Sequence, residues 1–522
     1  MVNKFNTKLC DKKMTFDECE LTILRHAVDE TTMIKGKESV NNEDVQKMII
    51  ILENFLIKNK FICYGGTAIN NILPKIDQFY NREVEIPDYD FFSKNALEAA
   101  KELADIYYNE GFKDVEAKSG VHKGTYKVYV NFIPIADITY MNPEIYDNLQ
   151  KDSIKIMGIH YCNPNYLRMS MYLELSRPAG DVSRWEKVLK RLTLLNKHYP
   201  LKPNIDCKKI LTKNDEKITE DIFTIIKDSF VEQGVIFFGG YAVYLYSRYI
   251  PEHIQQINKI PQFDVLHEHP EQCSLIIKEK LNDYGVKHIE IVEHASMDDI
   301  IPKHYEIKVN KKSYAFIYEP IACHNYNSIT IQGKNINVAT IDTMLSFYLA
   351  FIYTDNKHYN KDRILCLAKY LFEIEQYNRL EQNGILKRFS TKCYGVQKGL
   401  NSIHGEKALM FKKLANKKGT KEYESWFLKY IPEQLNKQDL KKKKKHIQKY
   451  MKENEQEFKE KIDSEIEEKD ESEKDEKTSS ESNNKFKMFK KYKKNEENKT
   501  KKKKSAFEKL FTVKNRKGFF GL

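Results

Sequence analysis

Asp88-Tyr89-Asp90 sets two carboxylates two residues apart. On an extended strand, residues i and i+2 share a face and stand about 7 Å apart. Like charges so placed gain nothing by packing together, and a hard divalent cation, which prefers oxygen ligands, relieves their repulsion. A third carboxylate on a neighbouring strand would complete a set for two ions ~3.5–4 Å apart, the spacing used for in-line phosphoryl transfer. Asp137 fits that role. It follows the apolar run Phe132-Ile133-Pro134-Ile135-Ala136 and precedes Ile138, so it is expected in a core strand, where a charge needs a metal or a cationic partner. Upstream, Gly65-Gly66 lies between a strand and a helix start, where bare backbone N–H groups and a helix N-terminus suit a triphosphate. The Thr67 hydroxyl follows at once. Gly-Gly alone marks any tight strand–helix turn, and Asp-x-Asp alone marks many solvated strand ends. In this order, glycines, paired carboxylates and strand aspartate constrain one another.

The elements that must hold these residues follow from local pattern. Asn41-Asn42-Glu43-Asp44 opens a helix with apolar Val45, Met48, Ile49, Leu52, Phe55 and Leu56 at helical spacing. Phe61 to Tyr64 reads as a strand, Thr67 to Leu73 as a helix stopped by Pro74, and Pro87 to Phe92 as a second strand. A helix near Ala96–Glu110 ends at Gly111, and Tyr126 to Tyr140 supplies further strand. Leu167 to His198 is mostly helical, interrupted at Pro178 and Gly180.

The pattern then recurs. Phe61-Ile-Cys-Tyr-Gly-Gly-Thr-Ala is echoed by Val235-Ile-Phe-Phe-Gly-Gly-Tyr-Ala, and Ile86-Pro-Asp-Tyr-Asp-Phe-Phe by Ile260-Pro-Gln-Phe-Asp-Val-Leu. A single shift aligns both blocks, and a third aligns Tyr126–Asp137 with Tyr305–Phe316. This is an internal duplication of an α/β unit. The second copy has Gln262, Asp264 and Phe316 where the first has Asp88, Asp90 and Asp137, so only the first is armed. Thr340 to Tyr353, Arg363 to Leu380 and Ala408 to Ile431 read as helices. The expected fold class is α+β, with duplicated α/β units, the first active and the second degenerate, a helical C-terminal region and a charged tail. Its segments are an N-terminal helical stretch 1–40, an active unit 41–203, a degenerate unit 204–335, a helical domain 336–434 and a Lys/Glu-rich tail 435–522.

Composition narrows the class of protein. At 522 residues, 41% hydrophobic and 12% aromatic, the chain can bury a sizeable core. Its net charge of +12 is local, because residues 437–522 carry 28 Lys/Arg against 18 Asp/Glu and the rest is nearly balanced. That tail cannot bury enough surface to fold stably. Its aromatics, among them Phe486, Phe489, Tyr492, Phe507 and Phe511, interleave with Lys and could stack on single-stranded nucleic acid, although a solvated tail is the simpler reading. Nine scattered cysteines without a Cys-x-x-Cys pair argue against a disulfide scaffold or zinc ribbon and for a reducing compartment. No apolar run is long enough to span a bilayer, and the N-terminus lacks a signal-peptide core, so a soluble intracellular protein with no membrane partner is expected.

A resemblance sharpens this. The arrangement Gly-Gly … Asp-x-Asp … Asp resembles the polymerase β-like nucleotidyltransferase superfamily. Several blocks are similar to the poly(A) polymerase catalytic subunits of poxviruses and other large cytoplasmic DNA viruses: Tyr64 to Asn70, Pro87 to Phe92, His122 to Asn131, Leu175-Ser176-Arg177-Pro178, Gly180 to Lys187, Leu345 to Ala350 and Lys392-Cys393-Tyr394-Gly395. The long gap between the glycines and Asp88 departs from the wider superfamily, and the Lys-rich tail has no counterpart.

The resemblance implies template-independent transfer of AMP from ATP to an RNA 3′ end, as in mRNA polyadenylation, with two Mg²⁺ or Mn²⁺ ions on Asp88, Asp90 and Asp137. It implies that Gly65, Gly66 and Thr67 cradle the β- and γ-phosphates. It also implies work in the cytoplasm of an infected cell, with packaging in the virion as an option, beside a processivity subunit or by self-association. The competing readings are a catalytically inactive RNA-binding scaffold and a nucleotidyltransferase of other base specificity.

Less pointed are the cations Lys123, Lys127, Arg177, Arg184, Lys187 and Arg191, which could contact triphosphate or RNA or simply form a solvated basic face. His122 reads as a structural or surface histidine. His267-Glu268-His269 lacks a convincing third metal ligand.

Overall fold

The computed structural model describes residues 9–432, apart from 12, 212–218, 252–261, 299 and 355–358; the expected tail 435–522 lies outside the described residues. The chain opens with two helices, α1 (Phe16–Val40) and α2 (Glu43–Asn59). Asn42 caps α2 by accepting from the Asp44 and Val45 amides, and Val45, Met48, Leu52, Phe55 and Leu56 form its buried stripe. Helix α1 buries no residue. Its backbone nevertheless comes so close to the chain at Val84 that a Cβ on Gly36 would overlap the Val84 carbonyl.

The first α/β unit holds strands β1 (Ile62–Tyr64), β2 (Tyr89–Ser93), β3 (Val115–Ser119), β4 (Thr125–Val130), β5 (Ile133–Tyr140), β6 (Ile154–Ile156) and β7 (Ile159–Tyr161). Its helices are α3 (Gly65–Ile72), α4 (Ala96–Asn109), α5 (Pro143–Lys151), α6 (Pro164–Leu175) and α7 (Trp185–His198). The second unit follows α8 (Cys207–Leu211) and α9 (Glu220–Glu232). It comprises β8 (Ile236–Phe237), β9 (Phe263–Leu266), β10 (Ile289–His294), β11 (His304–Val309), β12 (Lys312–Tyr318), β13 (His324–Ile331) and β14 (Lys334–Ala339), with α10 (Gly240–Tyr246) and α11 (Pro270–Asp283). Helices α12 (Ile341–Phe351), α13 (Lys361–Tyr377), α14 (Leu400–Lys413) and α15 (Lys421–Phe427), and short strands β15 (Cys393–Tyr394) and β16 (Lys429–Tyr430), complete the described chain.

The duplication is visible in the topology. The first sheet runs β16-β3-β4-β5-β2-β1-β7-β6 and the second β10-β11-β12-β9-β8-β14-β13-β15. Strands β3-β4-β5-β2-β1-β7-β6 therefore recur, in order, as β10-β11-β12-β9-β8-β14-β13. Even the turns agree. Asn131-Phe132 and Asn310-Lys311, which the sequence alignment superposes, both adopt positive φ at the tips of their hairpins, as a two-residue turn matching the strand twist requires. Between the units lies α12, buried along its whole length and packed on α6, β13 and β14.

Two expectations are corrected. Ala408–Ile431 is not one helix: α14 and α15 are separate, and β16 then joins the edge of the first sheet by pairing antiparallel with β3. That pairing is non-local and leaves no periodic trace in the sequence. The cysteines expected to stay free form three disulfides, Cys10–Cys19, Cys207–Cys366 and Cys323–Cys393. Two of these close 159 and 70 residues of chain, so residue spacing could not reveal them. Cys63, Cys162 and Cys273 are free and buried. Among the described residues no helix is long and apolar enough to cross a membrane.

Candidate active site

Strand β2 lies between β1 and β5. Asp90 is in register with Tyr64 on antiparallel β1 and with Asp137 on parallel β5. In-register residues on adjacent strands, ~4.8 Å apart, project from the same face, so these two carboxylates are neighbours. Asp88 is the residue just before β2. It is fixed from behind: the Thr67 hydroxyl, buried on α3, donates to the Asp88 carbonyl at 2.5 Å.

The electrostatics confirm that the three aspartates converge. Burial, then Asp88 and Asp137, push the Asp90 carboxyl up to about 7, against the pull of Lys127 and Arg184. Burial and Asp137 likewise raise Asp88, again opposed by Lys127. The Asp137 carboxylate is held by the Lys127 ammonium, which stands opposite it on β4. Burial disfavours the charge on Lys127, yet the bond and the charge of Asp137 outweigh it and hold its pKa above the usual value. Among the described residues no group of three His, Cys, Asp or Glu stands as a ready metal cluster. The all-carboxylate donor set, strained by its own repulsion, suits a hard divalent ion, and an ion joining all three would replace the Lys127 contact.

The glycines are explained by packing as well as by ligand access. Gly65 has φ +73°, and a Cβ there would lie 2.5 Å from Asp90 Oδ2. A Cβ on Gly66 would lie 2.6 Å from Tyr80 Oη and 2.9 Å from Arg191 Nη1. The N-cap of α3, Tyr64, makes no side-chain cap bond, so helix N–H groups face the site without a side-chain acceptor. In the second unit a Cβ on Gly239 would overlap the Asp264 carboxylate in the same way. There, however, Asp264 is in register with Phe316 and Glu306 stands where Lys127 does. Burial pushes the Asp264 carboxyl up to about 7. Phe316 separates it from Glu306, whose carboxylate is already met by His294, Lys308 and Ser313, so the row is broken.

Residues 50–181 match the family model described as poly(A) polymerase catalytic subunit. This stretch of the chain resembles viral poly(A) polymerase catalytic subunits. An African swine fever virus protein provisionally named poly(A) polymerase catalytic subunit is 36% identical over 180 residues, covering 33% of this chain and 38% of the relative. A protein of the same provisional name from Acanthamoeba polyphaga mimivirus is 30% identical over 176 residues, covering 32% of this chain and 29% of that one. The chain thus spans less than half the length of the curated relatives it matches. The crystal structure of the Megavirus polyadenylate synthase shares the fold, with a TM-score of 0.69 at 19% identity, covering 85% of this chain and 92% of that one.

The polymerase-like stretch does not gather all the candidate cations equally. Lys127 is in the site. Arg184 acts on Asp90 and is paired through Nε with Glu174 at 3.2 Å. Arg191 reaches Gly66. Lys187 is exposed on α7. Lys123 lies over the Trp426 ring, 5.1 Å from its centroid. Arg177 instead lies beside His324 of the second unit and adds to the depression of that histidine's pKa. Tyr80 was missed by sequence reasoning. It falls in an aperiodic stretch 14 positions after Gly66, and nothing local marks it.

Proposed function

We propose that the chain is a template-independent polynucleotide adenylyltransferase that transfers AMP from ATP to RNA 3′ ends and releases pyrophosphate. The observation that carries this is the Asp90–Asp137 register pair with Asp88 at its edge, present in the first unit and dismantled in the second. Asp88, Asp90 and Asp137 would hold Mg²⁺ or Mn²⁺, and bound there, such ions neutralise phosphate charge and lower the pKa of the acceptor hydroxyl. Asp137 would also accept that hydroxyl's proton. Gly65 and Gly66 present backbone N–H groups to the β- and γ-phosphates, while Thr67 keeps Asp88 in place. Lys127, Arg184, Lys187 and Arg191 add positive charge along the path of the triphosphate or the RNA, with Lys123 and Arg177 farther out. The name of the relatives, a catalytic subunit, supports action beside a further subunit; we place that action, with a processivity subunit or by self-association, in the cytoplasm of an infected cell.

Incubation with labelled ATP, Mg²⁺ or Mn²⁺ and a short RNA tests this. The wild-type protein should extend the RNA, and Asp88→Ala/Asp90→Ala should lower the rate by roughly 1,000-fold, the scale of a lost metal site. Equal behaviour of the two proteins would leave an inactive RNA-binding scaffold as the reading. Repeating the assay with each of the four nucleotides identifies the base transferred.

A further inference from the structure

The segment between the glycines and Asp88 has one short 3-10 turn, Lys75–Asp77, and contributes no strand to the sheet. It is nonetheless fastened at three points. The Asn70 side-chain Oδ1 on α3 accepts from both the Phe79 and the Tyr80 amides, each at 2.8 Å. The Asp77 carboxylate meets Lys197 at 2.9 Å and His198 at 2.5 Å, both at the end of α7. Arg191, in the middle of α7, donates to the Tyr80 hydroxyl at 2.6 Å and lies over the Phe79 and Tyr80 rings, 4.7 and 5.4 Å from their centroids. Loops this irregular are ordinarily loose, so fastening on two helices points to a side chain that has to be held in place.

We propose that Tyr80 and Arg191 form a clamp for the terminal phosphates of the donor nucleotide. This rests on the adenylyl-transfer reading for the identity of the donor. Three observations carry it. The phenol and guanidinium stand directly over Gly66, about 3 Å from where its Cβ would be. Among the described residues Arg191 has no carboxylate within ion-pair distance, so a half-buried cation faces two aromatic rings and a neutral hydroxyl. A planar guanidinium held in this way is pre-organised for a tetrahedral polyanion. The third observation is order along the chain. Asp90 presses on Gly65 while the clamp stands over the next residue. The reacting phosphate belongs beside the aspartates, so the pair meets the phosphates beyond it.

Equilibrium binding of ATP, ADP and AMP to the full-length protein, with Mg²⁺ and no RNA, tests the clamp apart from catalysis. Tyr80→Phe keeps both rings stacked and removes one hydroxyl. It should weaken ATP roughly three- to tenfold, the net worth of one ordinary hydrogen bond, and leave AMP within about twofold. Arg191→Met should weaken ATP by more, on the order of tenfold or above. Gly66→Ala, which pushes both side chains away without deleting either, should reproduce the pattern. Melting temperatures within a few degrees of wild type establish that each variant is folded. Equal losses for ATP and AMP, or no loss in any variant, would each overturn the proposal. A wild-type protein that discriminates ATP from AMP through Tyr80 but extends no RNA would retain the clamp and discard adenylyl transfer.

Discussion

Gly65 serves the site in two ways at once. Its positive φ turns the chain from β1 into α3, and its missing Cβ leaves the space that the Asp90 carboxylate fills. Gly239 makes the same room for Asp264 at an ordinary negative φ, −85°, so close approach rather than backbone conformation is what the two copies share. Gly65→Ala should therefore displace Asp90 and strain the turn, abolishing activity while costing about 1–3 kcal/mol of stability, readable by urea denaturation. Lys127 offers the opposite experiment. It competes with a cation for Asp137, so Lys127→Met should tighten Mn²⁺ binding roughly tenfold in a calorimetric titration, since one local positive charge is removed; weaker binding would show that Lys127 supports the ion indirectly. The Asp88–Asp90 pair was read from its i, i+2 spacing and Asp137 from the apolar run around it, and the structure puts Asp90 and Asp137 in register, with Asp88 just before the strand. The Lys127 contact and Tyr80 were not, since the first depends on strand register and the second on a loop whose path only its fastenings define.

At the scale of elements, the sequence repeats located both sheets, because identical spacing of the Gly-Gly and Pro-x-x-Asp blocks requires the same strand–helix–strand path. The start of helix α2 was read to within two residues from its Asn cap and apolar stripe. The stretch after Gly399 was misread because α14 buries no residue, so no apolar stripe marks where one helix ends and another begins. Asn70 shows what short-range pattern conceals. It lies buried on α3, yet its side-chain Oδ1 accepts two amides of the segment that carries Tyr80. Asn70→Ala should leave both donors unpaired and cost about 2 kcal/mol, and should also free residues 74–88 to rapid amide exchange. Protection there equal to that of wild type would mean that the contacts to α7 suffice.

Over the whole molecule the two units meet at α12 and β13. His324, at the start of β13, is fully buried, packs 5.1 Å from the Phe347 ring, and among the described residues has no hydrogen-bond partner on either ring nitrogen. Burial, with Arg177 adding to it, lowers its pKa from 6.5 to about 3. The folded state thus holds fewer protons than the unfolded state between those values. The stability this histidine allows is complete above pH 6.5 and is lost as pH falls towards 3, about 2 kcal/mol by pH 5 at ~1.4 kcal/mol per unit. Urea midpoints at pH 7 and pH 5 should diverge in the wild type and converge in His324→Phe. Neither this junction nor the long-range disulfides could be foreseen, since both join residues far apart in the chain.

Cys207 and Cys366 have their Cα atoms 5.4 Å apart, although the entire second unit lies between them. Entry to and exit from that unit therefore share one narrow neck. A polypeptide arranged in this way tolerates a cut: a chain opened at an exposed hairpin tip such as Asn310-Lys311 should stay together as two fragments joined by the Cys207–Cys366 bridge, with both sheets assembled.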